Sequence, residues 1–168
     1  REATPGSLFV CKGASFSPAY LTSAVEAGAV AYLCQQSLAE ELQAVAPNVA
    51  AIRVDDVRLA MAYAAAGVAG HPDKKLTTIG ITGTKGKSTC SYMLRAILDG
   101  DEPYSKCGVI GGIEVFDGKD TQPAHNTTPE APELWRHLKH AAEAGLPYVD
   151  MEISRSEERR VGKECSEP

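Results

Sequence analysis

The sequence predicts an α/β fold in which helices cover mainly parallel β-sheets. Short apolar or β-branched runs alternate with helical patterns along most of the chain. Strands separated by single helices imply right-handed crossovers between parallel strands. A polar, turn-rich segment at residues 70–75 divides two such units. We therefore predict a small N-terminal α/β domain over residues 1–71, a second α/β domain over residues 72–154 and a separate tail over residues 155–168.

In the first unit, start and stop signals frame two helices. Ser17 can cap a helix that begins at Pro18 and stops at Gly28, because proline favours the first helical position and glycine the position past the end. Asp56 similarly opens a helix that ends near Gly70.

Runs rich in β-branched and apolar residues predict the strands of both units. These runs are Leu8–Cys11, Ala29–Leu33, Val49–Val54, Thr77–Thr82, Cys107–Ile110 and Tyr148–Ile153.

Two features of the second half depart from this alternation. The Asp117-Gly118 pair predicts a hairpin tip after Glu114–Phe116, because such a pair favours the positive φ angles of hairpin turns. In residues 155–168, eight of 14 side chains are charged. Such a segment cannot complete a core, so we expect a loose tail that is unrelated to the domains before it.

Charge and composition limit the kinds of partner. With a net charge of −5 and no basic tract, an electrostatic grip on nucleic acid or anionic lipid is not the expected mode of binding. No apolar run is long enough to span a bilayer, and the start has no secretory leader. We expect a cytoplasmic monomer without nucleic-acid or membrane partners. The cysteines lack zinc-site spacing, and we expect reduced, apolar side chains at Cys11, Cys34, Cys90, Cys107 and Cys165.

Residues 83–89, Gly-Thr-Lys-Gly-Lys-Ser-Thr, follow a buried-strand pattern at Thr78–Thr82 and precede a helical pattern at Cys90–Leu98. A strand, a glycine turn and a helix N-terminus aim successive backbone N–H groups at one point, where negative charge is favoured. Lys87 can bond β- and γ-phosphate oxygens, and the Ser88 hydroxyl can ligate Mg²⁺. The segment therefore predicts a site for the triphosphate of a purine nucleotide, MgATP.

The other residues of this loop have separate expected roles. Gly83 and Gly86 permit positive φ and a close approach of backbone to phosphate, and Thr89 is expected near the α-phosphate. The alternative is a chance Gly-Lys-Ser tripeptide in a helix-opening turn. The standard GxxxxGK[ST] spacing requires glycine at position 81, where this chain has Ile81, so the loop is a variant.

The stretch Ile81–Thr89 resembles the nucleotide loop of the Mur ligases, ATP-dependent enzymes that extend the peptidoglycan stem peptide. Residues 8–14, 24–32 and 126–130 are similar to the MurE type, the UDP-N-acetylmuramoyl-dipeptide ligases that add the third amino acid. Met-Glu-Ile-Ser at 151–154 is similar to the family's Met-Glu-Val-Ser. The resemblance implies that the second domain is the first half of a P-loop, Mur-ligase-like ATPase domain, and that the first binds the UDP substrate.

The resemblance also implies site roles. Thr127 and Thr128 would contact the muramoyl-dipeptide, Ser154 would meet the substrate, and Glu152 would hold Mg²⁺ together with Ser88. Lys87 would act in catalysis and join the other ATP-binding residues, which are Gly83, Thr84, Lys85, Gly86, Ser88 and Thr89.

The implied reaction has two steps. ATP phosphorylates the γ-carboxylate of the D-glutamyl residue, and the amine of a diamino acid, lysine or meso-diaminopimelate, then attacks the acyl phosphate. This route needs cations and backbone dipoles around a migrating phosphoryl group more than an acid–base pair.

Other interpretations of these residues stay open at this point. Thr128 before Pro129 is also a sound capping pair for a helix over Glu130–Ala144. Glu152 could be a solvated carboxylate at a strand end. Asp150 is taken to alternate to the other face of its strand, as a weaker metal candidate. Three histidines are expected to be plain polar residues, His125 in a loop and His137 and His140 on an exposed helix face.

The chain also departs from the family's pattern. Arg155 stands where the family has a second serine, and the rest of the ATPase domain, a carboxylated lysine and the amino-acid-selecting domain have no counterpart. We expect a fragment that is inactive alone.

Three other functions remain possible from the sequence. The first is another P-loop enzyme, although no lid arginine or guanine-selecting motif is found. The second is a folylpolyglutamate-synthetase-like ligase, which residues 126–130 disfavour, and the third is a non-catalytic nucleotide-binding remnant.

Overall fold

A computed structural model of the chain describes residues 3–13, 15–124 and 126–154. The predicted tail at 155–168 and His125 lie outside the described residues. Contacts divide the chain into two compact units between Ala64 and Ala65, and we call them unit 1 and unit 2. The predicted domain boundary after residue 71 stays a prediction. No helix among the described residues has both the length and the apolar character needed to cross a membrane.

Unit 1 contains a three-stranded parallel sheet in the order β1-β2-β3. Buried Tyr32 and Cys34 of β2 pack with Leu21 of α1 and Leu42 of α2 to form its core. Strand-to-helix alternation thus produces the parallel sheet that the sequence predicts. The elements are β1 (Leu8–Val10), α1 (Pro18–Glu26), β2 (Ala31–Gln35), α2 (Ala39–Val45), β3 (Ala50–Val54) and α3 (Val57–Ala69), which continues past the division.

The structure contains both helices predicted for unit 1 and one further helix, α2, that was not predicted. Ser17 is the N-cap residue of α1 and Pro18 its first residue, although the Ser17 side chain makes no capping hydrogen bond. Asp56 caps α3, because its carboxylate accepts hydrogen bonds from the backbone N–H groups of residues 58 and 59 at 2.8 and 3.0 Å. Helix α2 was not predicted, since it is short and starts after Leu38 without a side-chain cap.

Unit 2 contains a five-stranded mixed sheet in the order β4-β8-β5-β6-β7. Strand β8 pairs in parallel with both β4 and β5. Strand β6 pairs antiparallel with β5 on one side and with β7 on the other. The hairpin predicted at Asp117-Gly118 is the β6–β7 turn. The elements are β4 (Thr77–Thr82), α4 (Lys87–Asp99), β5 (Cys107–Ile110), β6 (Glu114–Phe116), β7 (Thr121–Pro123), α5 (Ala131–Glu143) and β8 (Tyr148–Ile153).

The two helices of unit 2 cover opposite faces of this sheet. Val149 and Met151 of β8 pack with Leu138 of α5 in an apolar core. Asp150 and Glu152 of β8 instead bond to serines of α4. Because successive residues of a strand face opposite sides, β8 separates an apolar layer from a polar one. The α/β fold class predicted from the sequence is confirmed.

The four described cysteines are free, as the sequence predicts. Cys11, Cys34 and Cys107 are free and buried. Burial raises the pKa of the Cys11 thiol to about 12 and that of Cys107 to about 11, so neither ionises near neutral pH. Cys90 of α4 is free and exposed.

Candidate phosphate-binding site

The predicted phosphate loop connects the end of β4 at Thr82 to the start of α4 at Lys87. Gly86, the N-cap residue of α4, adopts φ 79° in the left-handed region, and Gly83 adopts φ 153°. Side chains with a Cβ atom rarely adopt such angles, so glycine lets the chain turn tightly into the helix. The free N–H groups of the first turn of α4 therefore lie directly after the loop.

Lys87 closes the loop on itself. Its ammonium Nζ donates a hydrogen bond to the backbone carbonyl of Gly83 at 2.8 Å, and the side chain is only partly exposed. The lysine thus folds back over the turn rather than extending into solvent. This places a positive charge beside the helix N-terminus, where both favour a bound anion.

A cavity of about 310 Å³ lies at this loop. Predicted nucleotide residues and predicted substrate or metal residues both line it, so the fold brings the two groups to one site. Of the other predicted residues, Gly83, Thr84, Lys85, Thr128 and Ser154 are not part of the wall. The lining residues are Gly86, Lys87, Ser88, Thr89, Gly112, Ile113, Thr127 and Glu152.

Glu152 lies in the cavity wall as a buried carboxylate, with 3% of its surface exposed. It accepts hydrogen bonds from the Ser88 hydroxyl at 3.1 Å and from the backbone N–H of Gly112 at 3.3 Å. A Cβ atom at Gly111 would lie 2.5 Å from Glu152 Oε1, so glycine is required there for the carboxylate to fit. The interpretation of Glu152 as a solvated strand-end carboxylate is wrong, because parallel pairing draws the end of β8 between its neighbours.

Thr128 holds the backbone around Glu152. Its hydroxyl donates a hydrogen bond to the Glu152 carbonyl at 2.9 Å and accepts one from the Ser154 backbone N–H at 3.2 Å. Helix α5 begins at Ala131 with Glu130 as its N-cap residue. The interpretation of Thr128 as the cap of this helix is therefore wrong, since its hydroxyl bonds to the backbone at the end of β8 instead.

The sequence of residues 81–166 matches the family model described as the Mur ligase middle domain. The chain belongs to the Mur ligase family. The match ends within the segment predicted as an unrelated tail. The resemblance stated from the loop and the flanking motifs is confirmed.

Two curated relatives show which Mur ligases this chain is similar to. A UDP-N-acetylmuramoyl-L-alanyl-D-glutamate–2,6-diaminopimelate ligase of Caldanaerobacter subterraneus is 37% identical over 156 residues, which are 92% of this chain and 31% of the relative's length. A UDP-N-acetylmuramyl-tripeptide synthetase of Lactobacillus delbrueckii is 36% identical over 92% of this chain and 29% of its own length. The chain thus spans less than a third of each relative.

A solved structure shares the fold of this Mur ligase chain. The structure of a UDP-N-acetylmuramoyl-L-alanyl-D-glutamate–2,6-diaminopimelate ligase superposes with a TM-score of 0.69 at 20% sequence identity. The superposition covers 95% of this chain and 31% of the other. At this identity the likeness supports the fold, and the site must be argued from its own residues.

Asp150 lies on the same face of β8 as Glu152, which corrects the sequence prediction that it faces the other side. Residues two apart in a strand share a face. Asp150 is fully buried and accepts a short hydrogen bond from the Ser91 hydroxyl of α4, while its Oδ1 has no hydrogen-bond partner among the described residues. Burial is the main cause that raises the pKa of Asp150, and the nearby Glu152 adds to it.

Two lining residues of this Mur ligase site were missed, Gly112 and Ile113. The signal was present in the Gly111-Gly112 pair directly after β5. Because β5 and β8 are parallel neighbours, their carboxyl ends meet at the same edge of the sheet, where open α/β sheets bind ligands.

The prediction of an exposed helix face for His137 and His140 is wrong for His137. His137 is 2% exposed and His140 is half-buried. Both imidazoles bond to Asp117 at the tip of the β6–β7 hairpin. The helical spacing alone could not reveal this, because the hairpin that covers the histidines lies about 20 residues earlier in the chain.

Proposed function

We propose that this chain carries the nucleotide- and magnesium-binding part of a MurE-type ligase, which joins a diamino acid to UDP-MurNAc-L-Ala-D-Glu at the expense of ATP. The observation that carries the proposal is the meeting of the Lys87 loop and the Ser88–Glu152 pair at one cavity. A cationic loop beside a buried carboxylate suits a triphosphate whose charge is shared between lysine and a divalent ion. Family membership and the names of the relatives point to the same reaction.

The loop residues have distinct roles in this proposal. The backbone N–H groups around Gly86 and the first turn of α4 hold the β-phosphate, and Lys87 bridges the β- and γ-phosphate oxygens. Lys87 leaves the Gly83 carbonyl when the nucleotide binds, since an ammonium–phosphate bond is stronger than a bond to a neutral carbonyl. Thr89, which also lines the cavity, lies near the α-phosphate. Gly83, Thr84 and Lys85 form the remainder of the loop.

Ser88 and Glu152 are suited to Mg²⁺. Their hydroxyl and carboxylate oxygens already lie 3.1 Å apart, and Mg²⁺ prefers oxygen ligands from one or two carboxylates together with phosphate oxygens and water. The fit is supported by the space that Gly111 leaves for the Glu152 carboxylate. When bound, the ion supplies positive charge that neutralises the phosphate oxygens during transfer.

The substrate side of the site is carried by Thr127, Thr128 and Ser154. Thr127 lines the same cavity as the phosphate loop, so a substrate carboxylate held by Thr127 is close to the γ-phosphate. Thr128 and Ser154 act through the backbone at the end of β8. Unit 1 has a larger cavity of about 540 Å³ lined by residues such as Lys12, Gln35 and Arg58, which we assign to the UDP substrate.

The chemistry follows from these placements. The γ-carboxylate of the D-glutamyl residue attacks the γ-phosphorus of ATP, the bond to the β–γ bridging oxygen breaks, and ADP leaves. The amine of lysine or meso-diaminopimelate then attacks the acyl carbon, loses a proton and expels phosphate. Lys87 stabilises the charge on the transferring group, which is the main requirement of such a step.

Three further parts belong to the same proposal. The residues from 1 to 71 form the UDP-substrate domain, those from 72 to 154 the incomplete ATPase domain, and those from 155 to 168 a tail. The protein acts in the cytoplasm as a monomer on small-molecule substrates. Because the chain spans about 30% of its relatives, we expect it to be inactive alone.

The test is release of inorganic phosphate in the presence of UDP-MurNAc-dipeptide, ATP and either diamino acid. We expect turnover from the longest product translated from the gene that contains this chain, and none from the 168-residue chain. A longer product that binds ATP but never releases phosphate with either amino acid would contradict the ligase proposal and favour a nucleotide-binding remnant. Turnover with a folate and glutamate would favour the folylpolyglutamate-type rival.

A further inference from the structure

A cluster of three side chains lies away from the phosphate loop, and we call it the His–Asp cluster. It consists of Asp117 at the tip of the β6–β7 hairpin and His137 and His140 of α5. Each histidine presents its Nδ1 to the same carboxylate oxygen, Asp117 Oδ2, at 2.7 Å for His137 and 2.8 Å for His140. One ligand atom from each residue lies within 4.8 Å of the other two.

The fold builds this cluster from both sides. The histidines are three residues apart, so they lie on one face of α5. The hairpin tip packs tightly on the end of this helix, since a Cβ atom at Gly118 would lie 2.6 Å from the Ala144 Cβ. Asp117 Oδ1 accepts hydrogen bonds from the backbone N–H groups of Lys119 and Asp120 at 3.1 and 2.9 Å. The turn therefore orients Oδ2 towards the histidines.

We propose that the His–Asp cluster binds one divalent transition-metal ion of the zinc class, with His137, His140 and Asp117 as its ligands. Two imidazoles and one carboxylate are a ligand set that Zn²⁺ uses with a fourth position for water. Asp117 and His137 are almost fully buried, while the His140 side chain is 25% exposed. The ion therefore enters from the His140 side, and that side holds the fourth ligand.

The observed distances need a small adjustment to admit the ion. Ligand atoms placed about 2.0–2.1 Å from zinc at tetrahedral angles lie roughly 3.3 Å from each other, so each imidazole must withdraw about half an ångström from Asp117. The half-exposed His140 can move by rotation of its side chain. Each Nδ1 must give up any proton it carries when the ion replaces the hydrogen bonds, and the neutral imidazole then carries its proton on Nε2.

Two neighbours of His137, Glu133 and Arg136, have opposite effects on whether its Nε2 carries a proton. Glu133 Oε1 lies 3.9 Å from His137 Nε2, and a carboxylate there supports an imidazole whose Nε2 carries the proton, as a metal on Nδ1 requires. The Arg136 guanidinium lies 3.5 Å from the same atom and favours the unprotonated Nε2 of a cluster held by hydrogen bonds alone. Direct measurement of bound metal therefore tests whether the metal displaces the hydrogen bonds of the cluster.

The experiment is metal content and Co²⁺ absorption of the full 168-residue chain. After incubation with Zn²⁺ and removal of free metal, we expect about one zinc ion per chain, and Co²⁺ should give the strong visible absorption of a tetrahedral site. His140→Ala should weaken binding more than about tenfold, because even indirect partners of a ligand are worth that much. Its unchanged melting temperature without metal would show that the variant is folded.

Control variants separate this site from others on the chain. His71→Asn replaces an exposed histidine outside the cluster, Cys90→Ser removes the exposed thiol, and Glu152→Gln alters the proposed magnesium site. We expect all three to bind zinc like the unmodified chain. No retained zinc, or zinc that His140→Ala and His137→Gln both leave in place, would overturn the proposal and leave the cluster as a hydrogen-bonded pin between hairpin and helix.

Discussion

Helices α4 and α5 have 13 residues each and cover opposite faces of one sheet, but they are held on it by different kinds of side chain. Helix α5 buries Leu138 and Ala141 against the apolar side of β8, and its one buried polar residue, His137, bonds to the β6–β7 hairpin. Helix α4 buries only polar residues, namely Ser91, Arg95 and Asp99, and it exposes Met93 and Ile97.

The difference teaches how the phosphate site is held. Apolar burial is non-directional, so it fixes α5 on the sheet without fixing any single contact. Helix α4 is instead tied by hydrogen bonds with preferred geometry, first Ser88 to Glu152, then Ser91 to Asp150. We call Ser88, Ser91, Arg95 and Asp99 the α4 stripe. This polar stripe begins next to the phosphate loop, and its hydrogen bonds to β8 set the position of Ser88 relative to Glu152.

The largest effect is expected at Arg95, the centre of the α4 stripe. Its guanidinium bonds Glu114 at 3.0 Å, lies 3.4 Å from Asp99, and stacks 3.4 Å from the centre of the Tyr104 ring. Arg95→Ala leaves the buried carboxylate of Asp99 and the partly buried one of Glu114 without this partner, so we expect the free energy of unfolding to fall by about 3–5 kcal/mol in urea titrations. The matched change at exposed Arg136 of α5 should cost less than about 1 kcal/mol, and equal costs would refute the contrast.

Leu138 gives the corresponding test of α5. It is 3% exposed in the apolar core, so Leu138→Ala should cost about 2–5 kcal/mol through lost burial and a residual cavity. Ile97→Ala on α4 removes an apolar side chain that is 77% exposed and should change stability by less than about 0.5 kcal/mol. A large cost at Ile97, measured by the same urea titration, would mean that α4 also packs through its apolar face.

A smaller, pH-dependent effect is expected at Asp99. Burial raises its pKa, but hydrogen bonds from the backbone N–H groups of residues 104, 106 and 107 and from Arg95 outweigh burial and leave the pKa below its ordinary value. The charged form therefore stabilises the fold above about pH 4, and this stabilisation is lost as the pH falls through the folded-state pKa.

The comparison of Asp99→Asn with the unmodified chain isolates this effect. At pH 7 we expect the variant to unfold with about 1–3 kcal/mol less free energy. The difference should shrink in titrations below about pH 4, where the unmodified carboxyl becomes protonated. A difference that stays constant from pH 7 to pH 3 would show that the charge of Asp99 contributes nothing.

The same contrast explains which parts of the fold could be predicted. Strands β4, β5 and β8 match their predicted bounds, because each is rich in β-branched or apolar residues. This signal is local in the sequence and holds even for β4, most of which is exposed. The phosphate loop was readable for a similar reason, since its glycines and Lys87 are adjacent in the chain. The face of α4 was not, because its apolar residues Met93 and Ile97 point to solvent.

The remaining misses share a physical cause. Asp150 was placed on the wrong face although the strand period of two puts it beside Glu152, and its partner Ser91 lies 59 residues away. His137 was judged as a helix residue without the hairpin that buries it. Both side chains are buried against partners distant in sequence. The strand period could have placed Asp150 on the face of Glu152, but periodicity carries no information about Ser91 or about the hairpin that covers His137.

The central claim is that Lys87 and the loop amides grip a triphosphate, and titration of the 168-residue chain with MgATP tests it most directly. We predict saturable binding that Lys87→Ala weakens roughly 10- to 150-fold, the equivalent of one charge-assisted bond of about 1.5–3 kcal/mol. Lys139→Ala, at an exposed lysine of α5, should bind MgATP like the unmodified chain. Equal affinities of the Lys87→Ala and Lys139→Ala variants, both folded by melting temperature, would contradict the account.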